Sequence, residues 1–373
     1  MSRTKVKRAR KVKKAVQRIL LVLLTFLLVT FGGIYYTLYC ICRGPSQTAR
    51  ELFVSTILET GMLQFLASWY YTEEEINEIA NRNAMEQTVE EVNTDLIVVA
   101  AKDEETEEMD AEPEFDFDEN GIALVEMTGR GYMAKLMLVK DPSQVKLATI
   151  YPWSDLNHSK NGLTLEELVQ QADAVAGVNG GEYYSEGNWG GRPKGITVCE
   201  GEIQYNEPKP GDVMVGFNED DILVIKDVGG MTSAETAQMI KDERIRDAVS
   251  FRDEIDKDSN HFTKLIINGN VRQINGSGSG ANPRTVIGQR ADGTVLLLVT
   301  DGRGASGHLG ATAADLLNIM QEYGAVNAAN LDGGSSSAMY YDGEYKMTSV
   351  TLYYSTSSWR LPTGFVVERK GAR

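Results

Sequence analysis

Three apolar runs of this 373-residue chain end in a polar residue followed by glycine. "AVAGV" runs into Asn179-Gly180-Gly181, "LLLVT" into Asp301-Gly302, and "NAANL" into Asp332-Gly333-Gly334. A lone NG or DG pair is an ordinary turn. Three, each closing a buried run, argue for a site. If the neighbouring strands are parallel, these ends meet on one sheet edge, where open sheets hold their ligands. Glycine there admits close approach, and the N–H groups of Gly333 and Gly334, with Ser335 beside them, can cradle an anion. Asp301 and Asp332 supply a carboxylate pair.

Other candidates surround these. Arg284, in "SGSGANPRTVIG", follows a Gly/Ser loop and Pro283 and leads into a β-branched run. It can present a planar fork to phosphate or serve as a salt bridge. The loop before it, "NGSGSGAN", has the composition of a lid. Lys194 in "GRPKG" adds a basic group. His308 lies in "DGRGASGHLG", close to Asp301, as an acid or base or as a cap for the following helix. Both aspartates are oxygen donors suited to a divalent cation. Other chemistries fit worse. Ala338 breaks a nucleophile elbow in "GGSSSA". No P-loop or dinucleotide fingerprint is present. The three cysteines, Cys40, Cys42 and Cys199, form no zinc spacing and leave the body without a disulfide framework.

Alternating elements must position these residues. "GIALVEMTG" and "YMAKLMLVK" read as opening strands. "LTLEELVQQADA" reads as a helix whose Thr164 and Glu167 form a capping box. "AVAGVNGG" is a strand, "GITVCEGEIQY" a hairpin turning at Glu200-Gly201, and "DDILVIKDV" a strand. "SAETAQMIKDERIRDAV" reads as one helix, and "KLIINGNVRQI" as a hairpin around Asn268-Gly269. "GTVLLLVTDG" is a sheet-centre strand. "ATAADLLNIMQEYG" is a helix burying Leu316, Ile319, Met320 and Tyr323. The pattern predicts an α+β fold, a mixed and largely buried sheet with flanking helices, over residues 121–373.

The front of the chain differs. Residues 3–18 carry nine basic side chains and no acid, although the whole chain has a net charge of −16. The body is therefore strongly acidic, which argues against nucleic acid as a partner. Residues 19–42, "ILLVLLTFLLVTFGGIYYTLYCIC", hold no charge and suit a helical crossing of roughly 30 Å of hydrocarbon. The run exceeds a signal peptide's apolar region, and bulky Leu38 and Tyr39 spoil a cleavage site at Cys40. The basic flank predicts a single-pass anchor with residues 1–18 cytoplasmic and the remainder outside. Residues 43–101 read as a helical stalk, with Thr72 and Glu75 opening its second helix. Residues 102–120, with eleven acids and one lysine, read as a solvated linker.

The stretches "GVNGGEYY", "GITVCEG", "NPRTVIGQ", "VTDGR", "GATAADLLNIMQEYGAVNAANLDGGSSSAMYYDG" and "WRLPTGFVV" occur in the order expected of the phosphodiester glycosidase family, which residues 121–370 resemble. "GPSQTARELFVSTILET" is similar to the stalk of membrane-anchored bacterial members. The resemblance implies a hydrolase that cleaves a sugar-1-phosphodiester, N-acetylglucosamine-like, in an envelope or cell-wall glycopolymer. Position by position it implies functional roles for Asn179, Arg284, Asp301 and Asp332, and for Arg360 near the C-terminus. Gly180, Glu182 and Tyr183 depart from the family's Ala, Phe and Phe, and Ser335 from a third glycine. The departures bear on the sugar more than on the phosphate. Which aspartate is nucleophile, base or metal ligand stays open. The rival reading is a non-catalytic carbohydrate- or phosphate-binding module on a stalk.

Overall fold

The computed structural model describes residues 3–60, 63–99, 115–150, 162–184, 190–255, 260–304, 307–349 and 356–371. Most of the expected acidic linker, residues 102–114, lies outside them. The helices are α1 (Arg3–Arg43), α2 (Gln47–Leu58), α3 (Glu73–Arg82), α4 (Leu165–Gln171), α5 (Ser233–Asp242) and α6 (Ala313–Glu322). The strands are β1 (Ile122–Thr128), β2 (Met133–Val139), β3 (Val145–Thr149), β4 (Ala174–Asn179), β5 (Gly195–Cys199), β6 (Glu202–Glu207), β7 (Asp212–Asn218), β8 (Leu223–Asp227), β9 (Ile245–Arg252), β10 (Glu254–Ile255), β11 (Asn260–His261), β12 (Lys264–Ile267), β13 (Asn270–Val271), β14 (Thr285–Arg290), β15 (Val295–Thr300), β16 (Ala325–Asn330), β17 (Ala338–Tyr341), β18 (Glu344–Thr348) and β19 (Thr363–Glu368).

The α+β class holds, but the single mixed sheet becomes three large antiparallel ones. Their orders are β1-β2-β15-β14-β16-β12-β13, β18-β17-β4-β19-β3 and β6-β5-β9-β7-β8. Inner faces of all three meet in one core, where Met137, Leu297, Val178, Phe365, Phe217 and Val249 pack together. Each outer face takes one helix. α6 covers the first with Leu316, Leu317 and Met320. α4 covers the second with Leu165 and Leu168, and α5 the third with Met239 and Ile240. Burying each such side chain stabilises the fold by about 1.5–3 kcal/mol.

The three helices share a grammar. Each opens with a capping box: Thr164/Glu167, Thr232/Glu235 and Thr312/Asp315. Each closes through one left-handed residue, Asp173, Arg244 or Gly324, and then enters a strand inside its sheet, β4, β9 or β16. The expected helix "SAETAQMIKDERIRDAV" therefore stops at Asp242, and Ile245 begins β9.

The stalk is packed, not extended. α1 contains a span from Val12 to Arg43 long and apolar enough to cross a membrane, with its apolar side chains exposed. Val54, Tyr70, Tyr71 and Ile79 form a small core with Cys42 at its end. Residues 83–99 then run as a strap along the body. Glu86 N–H donates to Gln273, Asn275 N–H to Ala84 and Val98 N–H to Ala291 (2.9, 2.8 and 2.8 Å). Arg272, itself paired with buried Asp253, donates to the Glu86 carbonyl at 2.6 Å. Near the end of the expected linker, Phe115 stacks on Tyr323, so this part packs on the body.

Candidate active site

β15 and β16 both pair antiparallel with β14. They flank it, so they run parallel to each other although, among the described residues, no two adjacent strands do. Their C-terminal ends therefore emerge together at the edge where β14 begins. This places Asp301, Asp332 and Arg284 on one sheet edge. Asn179 reaches the same edge from the neighbouring sheet. Its Nδ2 donates to the Asp332 carbonyl at 2.7 Å, and its Oδ1 accepts from Thr285 Oγ and Ala338 N–H. Both ends of this fully buried amide are committed, so Asn179 fixes the loop that carries Asp332.

Asp332 sits among protein atoms that raise its carboxyl to about 7. Burial is the chief cause. The Ser336 hydroxyl, the Gly333 N–H at 3.0 Å and Lys194 oppose it, while Glu182 adds repulsion. The Gly333 N–H thus serves Asp332, and the Gly334 N–H donates to Pro283 at 2.8 Å. The expected cradle of bare backbone N–H groups is spent inside the loop. Gly334 is needed for another reason. Its φ is +61°, and a Cβ there would come within 2.5 Å of Arg303 Nη2. Arg303 is exposed, adopts a left-handed φ of 54° and donates to Ser335 Oγ at 2.8 Å. Protein atoms crowding its guanidinium cost it solvation although the residue keeps an exposed side, and with repulsion from Arg284 they lower its pKa; Asp332 counters them. Arg303 thus stands between a like charge, Arg284, and a carboxyl, Asp332.

Asp301 is buried and holds His308. Its Oδ2 lies 2.6 Å from His308 Nδ1, and its Oδ1 accepts the Met133 N–H at 2.7 Å. The helix-capping alternative for His308 falls, because Thr312 caps α6. His308 Nε2 has no partner among the described residues. Its imidazole is held as a carboxylate holds a catalytic histidine. Among the described residues no three His, Cys, Asp or Glu side chains converge as metal ligands. A cation shared by Asp301 and Asp332 would have to compete with Met133 and His308.

Arg284 does not stand free. Its Nη2 donates to Glu59 Oε2 at 2.6 Å, to Gly280 O and to Ser279 Oγ, and its guanidinium stacks over Phe262. Glu59, at the end of α2, also accepts from Gly280 N–H and Asn282 Nδ2. The Gly/Ser loop expected to act as a lid is buried from Ser279 to Asn282 and holds the stalk. Gly280 makes this contact feasible, since a Cβ there would meet the Ser55 carbonyl at 2.5 Å.

Lys194 binds Glu182 at 2.5 Å, and Arg252 binds the same carboxylate at 3.1 Å. Burial opposes ionisation of Glu182, yet these two cations hold its pKa below the ordinary value. Tyr183 OH meets Ser336 Oγ at 3.2 Å. Burial, with Asp332 nearby, pushes its phenol up. Arg360 instead donates to the Gly162 carbonyl and Glu167, at the start of α4. Cys199 donates to Leu147 O, and burial lifts its thiol to about 12, which leaves it inert. Sequence reasoning missed Arg303, Arg252 and Glu59 as site residues. Arg303 stood in the quoted "VTDGR"; Glu59 carried no signal, because its partner lies 225 positions away.

An α+β body with a near-neutral carboxyl beside the Arg303 guanidinium is suited to proton exchange next to a bound anion. A family model for phosphodiester glycosidase matches residues 172–368, more than half of the chain. The chain belongs to that family. The SPbeta prophage-derived uncharacterized protein YomE of Bacillus subtilis is 42% identical over 64 residues, 17% of this chain and only 10% of that protein's length. Among solved structures, the zebrafish N-acetylglucosamine-1-phosphodiester alpha-N-acetylglucosaminidase catalytic domain, auto-inhibited by its pro-peptide, is 17% identical. It covers 66% of this chain and 82% of its own, with a TM-score of 0.47. An exported protein of Burkholderia pseudomallei is 15% identical over 64% of this chain and 74% of its own, with a TM-score of 0.41. A hypothetical protein from Synechocystis is 15% identical over 66% of this chain and 62% of its own, with a TM-score of 0.39. Family membership rests on the matched family model, not on these overlays.

Proposed function

We propose that the protein is a membrane-anchored hydrolase that cleaves a sugar-1-phosphodiester, with an N-acetylglucosamine-like sugar, in an envelope or cell-wall glycopolymer. α1 is the single-pass anchor, its N-terminus is cytoplasmic and the body faces outward. The observation that carries the chemistry is Asp332, raised to about 7 by burial, with the Arg303 guanidinium nearby. A carboxyl so poised exchanges protons efficiently near neutrality.

In this reading ionised Asp332 takes a proton from water as the water oxygen bonds to C1. The C1–O bond breaks, and the electron pair leaves with the phosphate monoester. Arg303 meets the phosphate charge directly. Arg284, tied to Glu59, positions the loop beneath it. His308, oriented by Asp301, offers Nε2 to a phosphate oxygen. Phosphate is a good leaving group and has little need of protonation, so no strong general acid is required. Lys194, Glu182 and Tyr183 line the sugar end, where the family departures fall.

The test is a screen of the full-length protein against phosphodiester-linked N-acetylglucosamine and glucose donors, with Asp332→Asn as control. Release of free sugar should fall by about 10²- to 10⁴-fold in the variant, without loss of fold. Near-normal turnover by a folded Asp332→Asn protein would remove this residue from the mechanism. Donor binding with no turnover by either form would favour the binding-module reading.

A further inference from the structure

The stalk carries an apolar patch that the site does not use. Leu63, Phe65 and Trp69 are 42%, 52% and 51% exposed. They lie on and beside the 3₁₀ turn Gln64–Trp69, with the Phe65 and Trp69 rings edge to face at 5.5 Å. Exposed aromatics clustered this closely mark an interaction surface.

The turn's position identifies the partner. Tyr70, the next residue, packs its ring on Tyr35 of α1 at 5.3 Å and donates its hydroxyl to the Tyr35 carbonyl at 2.9 Å. The Tyr71 hydroxyl donates to the Cys42 carbonyl, and the Arg43 guanidinium to the Tyr70 carbonyl. Tyr35 and Arg43 are about 12 Å apart along the helix axis. The turn is therefore bolted beside the last two turns of α1, at the depth where the apolar span ends. A charged pocket formed by Arg43, Arg50, Glu51, Glu75, Glu78 and Arg82 adjoins it. Aromatic side chains followed by charge is the order of a membrane–water interface.

We propose that Leu63, Phe65 and Trp69 insert into the interface of the bilayer that α1 crosses, as a second membrane contact. This rests on reading α1 as a membrane span. The contact prevents the stalk from swivelling about α1. It also holds α2, whose end residue Glu59 grips Arg284, close to the lipid surface. The phosphate end of the site is thus presented to glycans rooted in or near the membrane.

The full-length chain, with Trp153, Trp189 and Trp359 changed to Phe, is reconstituted into phosphatidylcholine/phosphatidylglycerol vesicles and checked for folding by circular dichroism. Trp69 emission should shift to the blue, with stronger quenching by lipids brominated near the headgroup than by lipids brominated near the chain ends. A nitroxide on Phe65→Cys, with native cysteines replaced by serine, gives the same depth in case the tryptophan changes disturb the fold. Vesicle-bound protein whose Trp69 is unquenched and open to aqueous iodide overturns the second contact while leaving the anchor intact. Protein that fails to float with vesicles overturns both.

Discussion

At Asp332, burial favours the neutral acid, whereas Ser336, Gly333 and Lys194 favour the anion; burial prevails, and the carboxyl rises to about 7. This sets two pH dependences. If the ionised form accepts the proton from water, kcat/KM should climb as pH rises through about 7. The stability sign is opposite. A carboxyl whose folded pKa lies above its unfolded value, about 3.9, favours the folded state fully below that value. The contribution fades as pH rises through about 7. Melting temperatures of wild type and Asp332→Asn should therefore diverge between pH 5 and pH 8, the variant gaining relative stability at the higher pH; parallel curves would contradict the assignment. At this scale the sequence was informative about residue types. Asp301, Asp332, Arg284 and His308 all fall where three apolar runs and a Gly/Ser loop pointed. Their partners were not legible. Glu59 on Arg284 and Glu182 near Asp332 depend on tertiary packing that no local spacing encodes.

The elements were read well where local chemistry decides. Capping boxes at Thr72 and Thr164 mark helix starts in both sequence and structure. The turns at Glu200-Gly201 and Asn268-Gly269 fall in left-handed conformations. Among the strands that local pattern does not reveal, β9 and β7 show why. β9 follows α5 after a single left-handed Arg244, with no glycine or proline to mark the break. β7 reads "DVMVGFN" and lies buried on both faces, so it lacks the alternation that signals a strand. Parallel pairing was expected because polar ends clustered. Two strands separated by an antiparallel one achieve the same clustering. The loop at Gly280 yields a prediction at this scale. Gly280→Ala should push α2 off the body, because its Cβ would collide with the Ser55 carbonyl. Limited proteolysis should then cut residues 47–60 faster, and the melting temperature should fall by about 2–4 °C per kcal/mol lost. Unchanged proteolysis would mean that the contact tolerates the methyl group.

For the whole molecule, the charge asymmetry was the strongest sequence signal, and it yields an orientation. Protease added to intact cells should reach sites beyond Arg43 and spare residues 1–18, read with tags at both ends. Complete protection of the body would overturn the outward placement. What composition could not reveal is that stalk and body are one packed object. A boundary at Gly121 marks where strands begin, but residues 83–99 already lie along the body, through Gln273, Asn275, Arg272 and Ala291. With α1 read as the anchor, that strap bears on how the body would leave a membrane surface. A single nick between Val99 and Phe115 would sever the peptide chain without shedding the ectodomain, since the strap and the Glu59–Arg284 pair would still hold the pieces together. Release into the medium would require a cut beside the membrane, between Arg43 and Gln47, together with loss of the Tyr70–Tyr35 and Tyr71–Cys42 contacts that bind the stalk to α1; stalk and body would then leave as one piece.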